Sequence, residues 1–120
     1  MENLIYSLES APVIIAGDFN ARENYSHMRR LSRQWIDAYR VVNRNDSGYS
    51  CCLREDVLNE EANNHFFARL DCVFLMDGNG FSWKANNARR MLSSPLENNG
   101  ELQWASNHAG VFAEASLELH

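Results

Sequence analysis

The sequence predicts an α/β (α+β) domain, and three observations support this fold class. Residues 13–17 form a short apolar run rich in β-branched side chains, which is typical of a strand. Residues 66–76 form a longer run whose alternate positions are all apolar, which predicts a second strand. Between these runs, Met28, Leu31 and Trp35 recur at the spacing of one helical face.

Length and composition limit the number of domains, the class of binding partner and the location of the protein. The chain has 120 residues, so we expect one domain, 1–120, with a single core. Its formal net charge of −5 argues against a large nucleic-acid surface on this chain alone, because phosphate contacts require a basic excess. No stretch reaches the roughly 18 apolar residues of a membrane span, and no secretory signal is visible. The predicted location is cytoplasmic.

The cysteines agree with that location. They number three, and Cys51 and Cys52 are adjacent, a spacing that ordinary strand geometry does not bridge easily. We therefore expect reduced thiols, two or three of them buried, in a reducing compartment.

The first half of the chain is expected to alternate between helix and strand. Residues 3–9 predict the last turns of a helix, and 13–17 predict a strand buried on both faces that ends at a loop. Ser26 is a candidate cap for the helix that carries Met28. Residues 43–48 predict a turn, and a short strand at 49–53 leads into a polar loop at 54–64.

The second half is expected to be mostly strand. Within 66–76, alternation places Arg69 and Asp71 together on the face opposite the uniformly apolar one. Charges on a buried strand must be paired or functional, because burying one alone costs several kcal/mol. A turn at 77–80, a strand at 81–91, a loop at 95–100 and a half-buried strand at 110–118 follow.

Polar side chains stand at the ends of these apolar runs, where a sheet presents functional groups. They form three pairs: Asp18 with Asn20, Arg69 with Asp71, and Asn107 with His108. Taken singly, each pair has an ordinary structural interpretation: a turn, an ion pair, and a surface histidine.

The motifs that contain these pairs resemble a known family. GDFNA at 17–21, RLDCVFL at 69–75 and SNHAGVFAE at 106–114 occur in the order of the C-terminal motifs of the endonuclease/exonuclease/phosphatase superfamily, the relatives of deoxyribonuclease I. WIDAYRVVN at 35–43 and GYS at 48–50 are similar to a further family segment. The resemblance extends over about residues 3 to 118.

The resemblance implies a fold and an active site. This chain would form the C-terminal half of a four-layer α/β/β/α sandwich, as a mixed, mostly antiparallel sheet of five or six strands with helices on one face. Asp18 would hold or activate the attacking water, and Asn20 would donate to a phosphate oxygen. Asp71 would orient His108, which would act as general base or as phosphate-stabilising cation. Arg69 would support the site by positioning Asp71 or a neighbouring loop.

The implied cofactor is Mg²⁺ or Mn²⁺, with Asp18 and Asn107 as its ligands on this chain. The family usually has aspartate where Asn107 stands, and asparagine keeps the carbonyl oxygen but loses the charge. Cys72 replaces a residue that is commonly aromatic, a change that we interpret as packing.

The implied function is metal-dependent phosphoester hydrolysis, by a phosphodiesterase or a phosphatase. Its substrate would be a nucleic acid, an inositol phosphate or a phospholipid headgroup. The family's N-terminal asparagine, metal-binding glutamate and histidine or tyrosine motifs do not occur before residue 12. The chain is therefore expected to carry half of the site and to pair, through its sheet face, with the missing N-terminal half or with a second copy. The alternatives are a catalytically silent relative that acts as a binding or scaffold module, and an inactive fragment.

Overall fold

The computed structural model describes residues 11–53 and 66–120, so the turns expected at 3–9 and the loop expected at 54–64 lie outside the described residues. Its architecture is α+β with antiparallel strand pairing, as predicted. The elements in chain order are β1 (Val13–Asp18), α1 (Ser26–Gln34), β2 (Ile36–Asp37), α2 (Ala38–Val42), β3 (Asp71–Met76), β4 (Phe81–Met91), β5 (Leu96–Asn98), β6 (Glu101–Gln103) and β7 (Gly110–Leu119).

The strands do not form the single sheet that was expected. Within the described ranges they form a three-stranded sheet of order β1-β3-β2 and two separate pairs, β4-β7 and β5-β6. The reason is that β4 and β7 pair with each other along their length, from Phe81 opposite Leu119 to Met91 opposite Gly110. This long ribbon lies beside β3 without joining its ladder.

The main core lies between α1 and one face of the three-stranded sheet. Met28 on α1 and Trp35 at its end pack against Cys72 and Phe74 of β3, which confirms the predicted helical face. The Trp35 and Phe74 rings meet edge to face at 6.0 Å. Ser26 is not the cap that was predicted: it is the first helical residue, and no side chain caps α1.

The other face of the sheet is less covered. The prediction that 13–17 is buried on both faces is wrong, because the side chain of Ile14 is 55% exposed while that of Ile15 packs against the core. Ile14, Val73 and Leu75 line an apolar groove together with residues of the β4-β7 ribbon. Asp18 and Asp71 lie on this second face, since they alternate with the core-facing residues.

The run 66–76 is a strand only from Asp71 onward. The Oγ atom of Ser50 accepts hydrogen bonds from the backbone nitrogens of Leu70 at 3.1 Å and Asp71 at 3.2 Å. These bonds to a side chain replace regular ladder pairing, so the alternation breaks. The buried side chain of Arg69 contacts Sγ of Cys72 on the core-facing side of β3, whereas Asp71 lies on the other face, so the predicted placement of both on one face is wrong.

The structure confirms some of the remaining predictions about turns, strands and cysteines and corrects others. The turn at 77–80 and the strands at 81–91 and 110–118 are confirmed. The expected strand at 49–53 is reduced to isolated bridges at Cys51, and β5 occupies part of the expected loop at 95–100. Cys51 and Cys52 are bonded through sulfur across a cis peptide bond, whereas free thiols were expected. No helix among the described residues is long and apolar enough to span a membrane.

The half-covered face generates a prediction about assembly. Burial of each large apolar side chain contributes roughly 1.5–3 kcal/mol, so a second chain should cover this face. We expect the urea midpoint to rise with protein concentration, and Ile14→Asp to abolish the rise. Leu96→Asp, at an exposed position on β5, is the matched control. A monomer in light scattering, with a midpoint that is constant over a hundredfold concentration range, would contradict the prediction.

Candidate functional site

The site begins where β1 and β3 pair at Asp18 and Asp71. These two residues stand directly opposite each other in the antiparallel register. Like charges at directly opposed positions destabilise a sheet, so packing does not explain their presence. A carboxylate oxygen of each aspartate and a ring nitrogen of His108 all lie within 4.8 Å of one another. The structure therefore brings together three residues that are far apart in sequence.

The contact predicted between Asp71 and His108 is confirmed. The Nδ1 atom of His108 lies 2.8 Å from Oδ2 of Asp71, and both side chains are about a quarter exposed or less. When Nδ1 carries the proton, it donates to the carboxylate and Nε2 is the basic nitrogen. The arrangement fixes the ring and leaves Nε2 for chemistry.

Ser50 holds the two sides of this contact together. Its side chain is fully buried, and its Oγ accepts the backbone N–H groups at the start of β3. Its carbonyl oxygen accepts from the backbone nitrogen of Ala109 at 2.7 Å, and Leu53 donates to the carbonyl of Asn107 at 2.8 Å. Ser50 was not among the predicted site residues, although it lies in the GYS segment that carries part of the family resemblance.

Asn20 shapes the site through its backbone. Its φ of 52° lies in the left-handed region, which asparagine tolerates better than most residues. In this conformation its backbone nitrogen donates to Oδ1 of Asp18 at 2.8 Å. Asn20 is exposed beside Asp18, and the role of its side chain as a phosphate donor stays a prediction.

Asn107 is exposed next to His108, and its Oδ1 accepts from the hydroxyl of Ser106 at 3.5 Å. The same hydroxyl accepts from the backbone nitrogen of His108 at 3.1 Å. Ser106 thus anchors the start of the segment that presents the histidine. The metal-ligand role of Asn107 stays a prediction.

Arg69 supports a neighbouring loop, which was one of its two expected roles. It binds Asp37 through two hydrogen bonds, of 2.6 and 3.1 Å, and donates to Glu23 at 2.9 Å. Glu23 lies in the segment after β1 and also binds Arg40. Asp71, the other expected partner, is held by Ser50 and His108 instead.

The contacts of this network favour the charged forms of Arg69 and Glu23. Burial alone lowers the pKa of Arg69, but the hydrogen bonds and charge of Asp37 raise it, and the net pKa lies above its ordinary value. Burial raises the pKa of Glu23, but hydrogen bonds from Arg40 and Arg69 outweigh it, so the net pKa is lowered. Burial also raises the pKa of Cys72 to about 12. Cys72 therefore remains a thiol beside a compensated ion cluster.

Comparison with known proteins adds evidence on the fold. No protein-family model and no curated protein matches the chain. The chain is similar to a crystal structure of a functionally unknown conserved protein from Enterococcus faecalis V583, with a TM-score of 0.62 and 15% identity. The match covers 98% of this chain and 43% of that chain, so this chain spans less than half the neighbour's length. At this identity the likeness concerns the fold alone.

The position of Ser50 generates a stability prediction. Ser50→Ala leaves two backbone N–H groups without their acceptor, so we expect the free energy of unfolding to fall by about 1–3 kcal/mol. Ser32→Ala is the control, because Ser32 is exposed on α1 and should change stability by less than about 0.5 kcal/mol. Denaturant titration measures both changes, and equal midpoints for the two variants would show that Ser50 does not join these segments.

Proposed function

We propose that the chain carries the C-terminal half of the active site of a metal-dependent phosphoester hydrolase of the endonuclease/exonuclease/phosphatase type. The observation that carries the proposal is the 2.8 Å contact between Asp71 and His108, with Asp18 beside both. These three groups come from the three motifs that resemble the family, so sequence order and geometry favour the same site.

The groups suit hydrolysis of a phosphoester. The reaction needs a water molecule that loses a proton and a countercharge for the oxygens of the phosphorane. Asp18 is exposed at the site and would accept a hydrogen bond from the attacking water. His108, oriented by Asp71, would take up a proton at Nε2 or, when already protonated, would stabilise the phosphate. Asn20 would contribute an uncharged donor.

The carboxylates also fit a divalent cation. Asp18 and Asp71 oppose each other in register, and a cation would relieve their repulsion. Carboxylate and amide oxygens are the ligands that Mg²⁺ and Mn²⁺ prefer, so Asp18 and Asn107 would hold the ion. Such an ion would polarise a phosphoryl oxygen. Asn107 contributes no charge, which makes this half of the site a weak ligand set.

The proposed active site requires a second half of the domain in addition to this chain. A four-layer sandwich would form if an N-terminal half, or a second copy, covered the face that carries Ile14 and the two aspartates. The greater length of the structural neighbour is compatible with such an arrangement. The substrate would be a nucleic acid, an inositol phosphate or a phospholipid headgroup. The second candidate function, a silent binding module, is favoured by Asn107, the neutral residue in an otherwise acidic motif position.

Activity measurements separate the two functions. We expect the longest native chain that contains these motifs to hydrolyse bis(p-nitrophenyl) phosphate when Mg²⁺ or Mn²⁺ is added. His108→Ala and Asp71→Asn should each lower kcat by about 10³-fold or more, because orientation and proton transfer are lost. Glu118→Gln, at an exposed carboxylate on β7, should leave kcat unchanged. Activity that resists both site substitutions, or no activity with any divalent metal, would favour the binding module.

Calorimetry tests the expectation that this chain alone binds Mg²⁺ weakly. We expect this chain alone to bind Mg²⁺ with a dissociation constant above about 1 mM, since Mg²⁺ requires near-octahedral oxygen ligation that few groups here supply. Asn107→Asp should tighten binding by adding a charged ligand, whereas Asn24→Asp, in the exposed loop after β1, is the matched control. Submillimolar binding by the unchanged chain would mean that the ligand set is complete without a second half.

A further inference from the structure

A second cluster of potential metal ligands adjoins the candidate site. The sulfur atoms of Cys51 and Cys52 and a ring nitrogen of His108 lie within 4.8 Å of one another. We refer to these three residues as the Cys-His cluster. It shares His108 with the acidic site but consists otherwise of sulfur ligands.

The backbone holds the cluster on both sides. Cys51 forms antiparallel bridges with Ala68 and with His108. Its nitrogen donates to the carbonyl of Ala68 at 2.9 Å, and its carbonyl accepts from Phe67 at 2.6 Å. The bonds from Ala109 to Ser50 and from Leu53 to Asn107 flank it on the other side. The sulfur-bearing segment is thus fixed beside the histidine and is not a free loop.

The donor set is suited to zinc. Thiolates and imidazole are the usual ligands of Zn²⁺, whereas Mg²⁺ and Mn²⁺ prefer oxygen. The contact between Nδ1 of His108 and Asp71 also matches the carboxylate–histidine arrangement that orients metal-bound histidines. Cys51 is buried and Cys52 is half-buried, so the surroundings shield the site in part from water. Three protein ligands leave a fourth tetrahedral position for water.

We propose that Cys51 and Cys52, in their reduced form, bind one Zn²⁺ ion together with Nε2 of His108. The two sulfurs are bonded to each other in the structure, so a thiol reductant must first supply two electrons and two protons to open the bond. Zinc then displaces the two thiol protons, which are released to solvent. This binding is independent of the proposed function, because it needs only the three residues of the Cys-His cluster.

One consequence rests on the proposed function. His108 cannot offer Nε2 to zinc and to a phosphate oxygen or water at the same time. Bound zinc therefore inhibits hydrolysis, and the inhibition requires the two cysteines. Mg²⁺ should not reverse it, because Mg²⁺ competes poorly for sulfur ligands.

Metal titration of the reduced 120-residue chain tests the binding. We expect one Zn²⁺ per chain in competition with a chromophoric chelator, and a thiolate-to-metal charge-transfer band when Co²⁺ is the probe. Cys52→Ser and His108→Gln should each weaken Zn²⁺ binding by about tenfold or more, since even outer partners of a metal contribute 10- to 100-fold. Cys72→Ala is the matched control, because Cys72 bonds to Arg69 and lies outside the cluster.

Circular dichroism verifies that each variant is folded. Because Cys52 is half-buried and Cys51 is buried, we expect substitution of Cys52 to disturb folding less than substitution of Cys51. A charge-transfer band that survives Cys51→Ser/Cys52→Ser, or equal Zn²⁺ affinities in all variants, would overturn the proposal. In the activity assay, equimolar zinc should lower the rate about tenfold in the reduced native chain and leave the double variant unaffected. Zinc binding without any hydrolase activity would refute the proposed function alone, and activity without thiolate-dependent zinc binding would refute the cluster alone.

Discussion

The candidate site depends on the hydrogen bonds of one buried serine. Ser50 accepts two N–H groups from the start of β3 through its hydroxyl and one from Ala109 through its carbonyl. These three bonds fix Asp71, at the start of β3, relative to His108, which lies just before β7 and outside any sheet. The β4-β7 ribbon shares no ladder with β3, so these bonds help to set the distance between the carboxylate and the imidazole. A residue outside the proposed catalytic set therefore helps to determine the geometry of the candidate site.

The charged residues fall into two groups with different electrostatic surroundings. Around Arg69, two carboxylates and a second arginine compensate one another, and the Arg69–Asp37 pair of this cluster is buried. At the site, by contrast, two aspartates oppose each other, and His108 lies near both but contacts only Asp71 at hydrogen-bond distance. Like charges that face each other without a compensating cation mark a candidate functional site. The contrast is compatible with the cation-binding role proposed for Asp18, whereas the contacts of Arg69 are structural.

The sequence patterns predicted correctly which strand-end residues lie together, but they did not predict how the strands pair over long range. Asp18, Asp71 and His108 could be grouped because each follows or precedes an apolar run, and the structure places them together. The orientation of Arg69 could not be predicted, because alternation assumes a regular strand and the hydroxyl of Ser50 interrupts this one. The division into three sheets could not be predicted either. It results from the pairing of β4 with β7, a long-range contact that the pattern within each strand does not encode.

The register of β1 against β3 determines where the chain tolerates insertions. Side chains alternate between faces, so a shift of one residue in this pairing would turn Asp18 toward the packed face that contains Phe74. A single deletion within β1 would therefore bury a carboxylate and dismantle the site at once. The turn at Asn99 and Gly100 is different: both residues are exposed with positive φ, and they connect only the short strands β5 and β6. Extra residues for a label or a fused domain are best inserted at this turn, because its hairpin contains none of the three site residues.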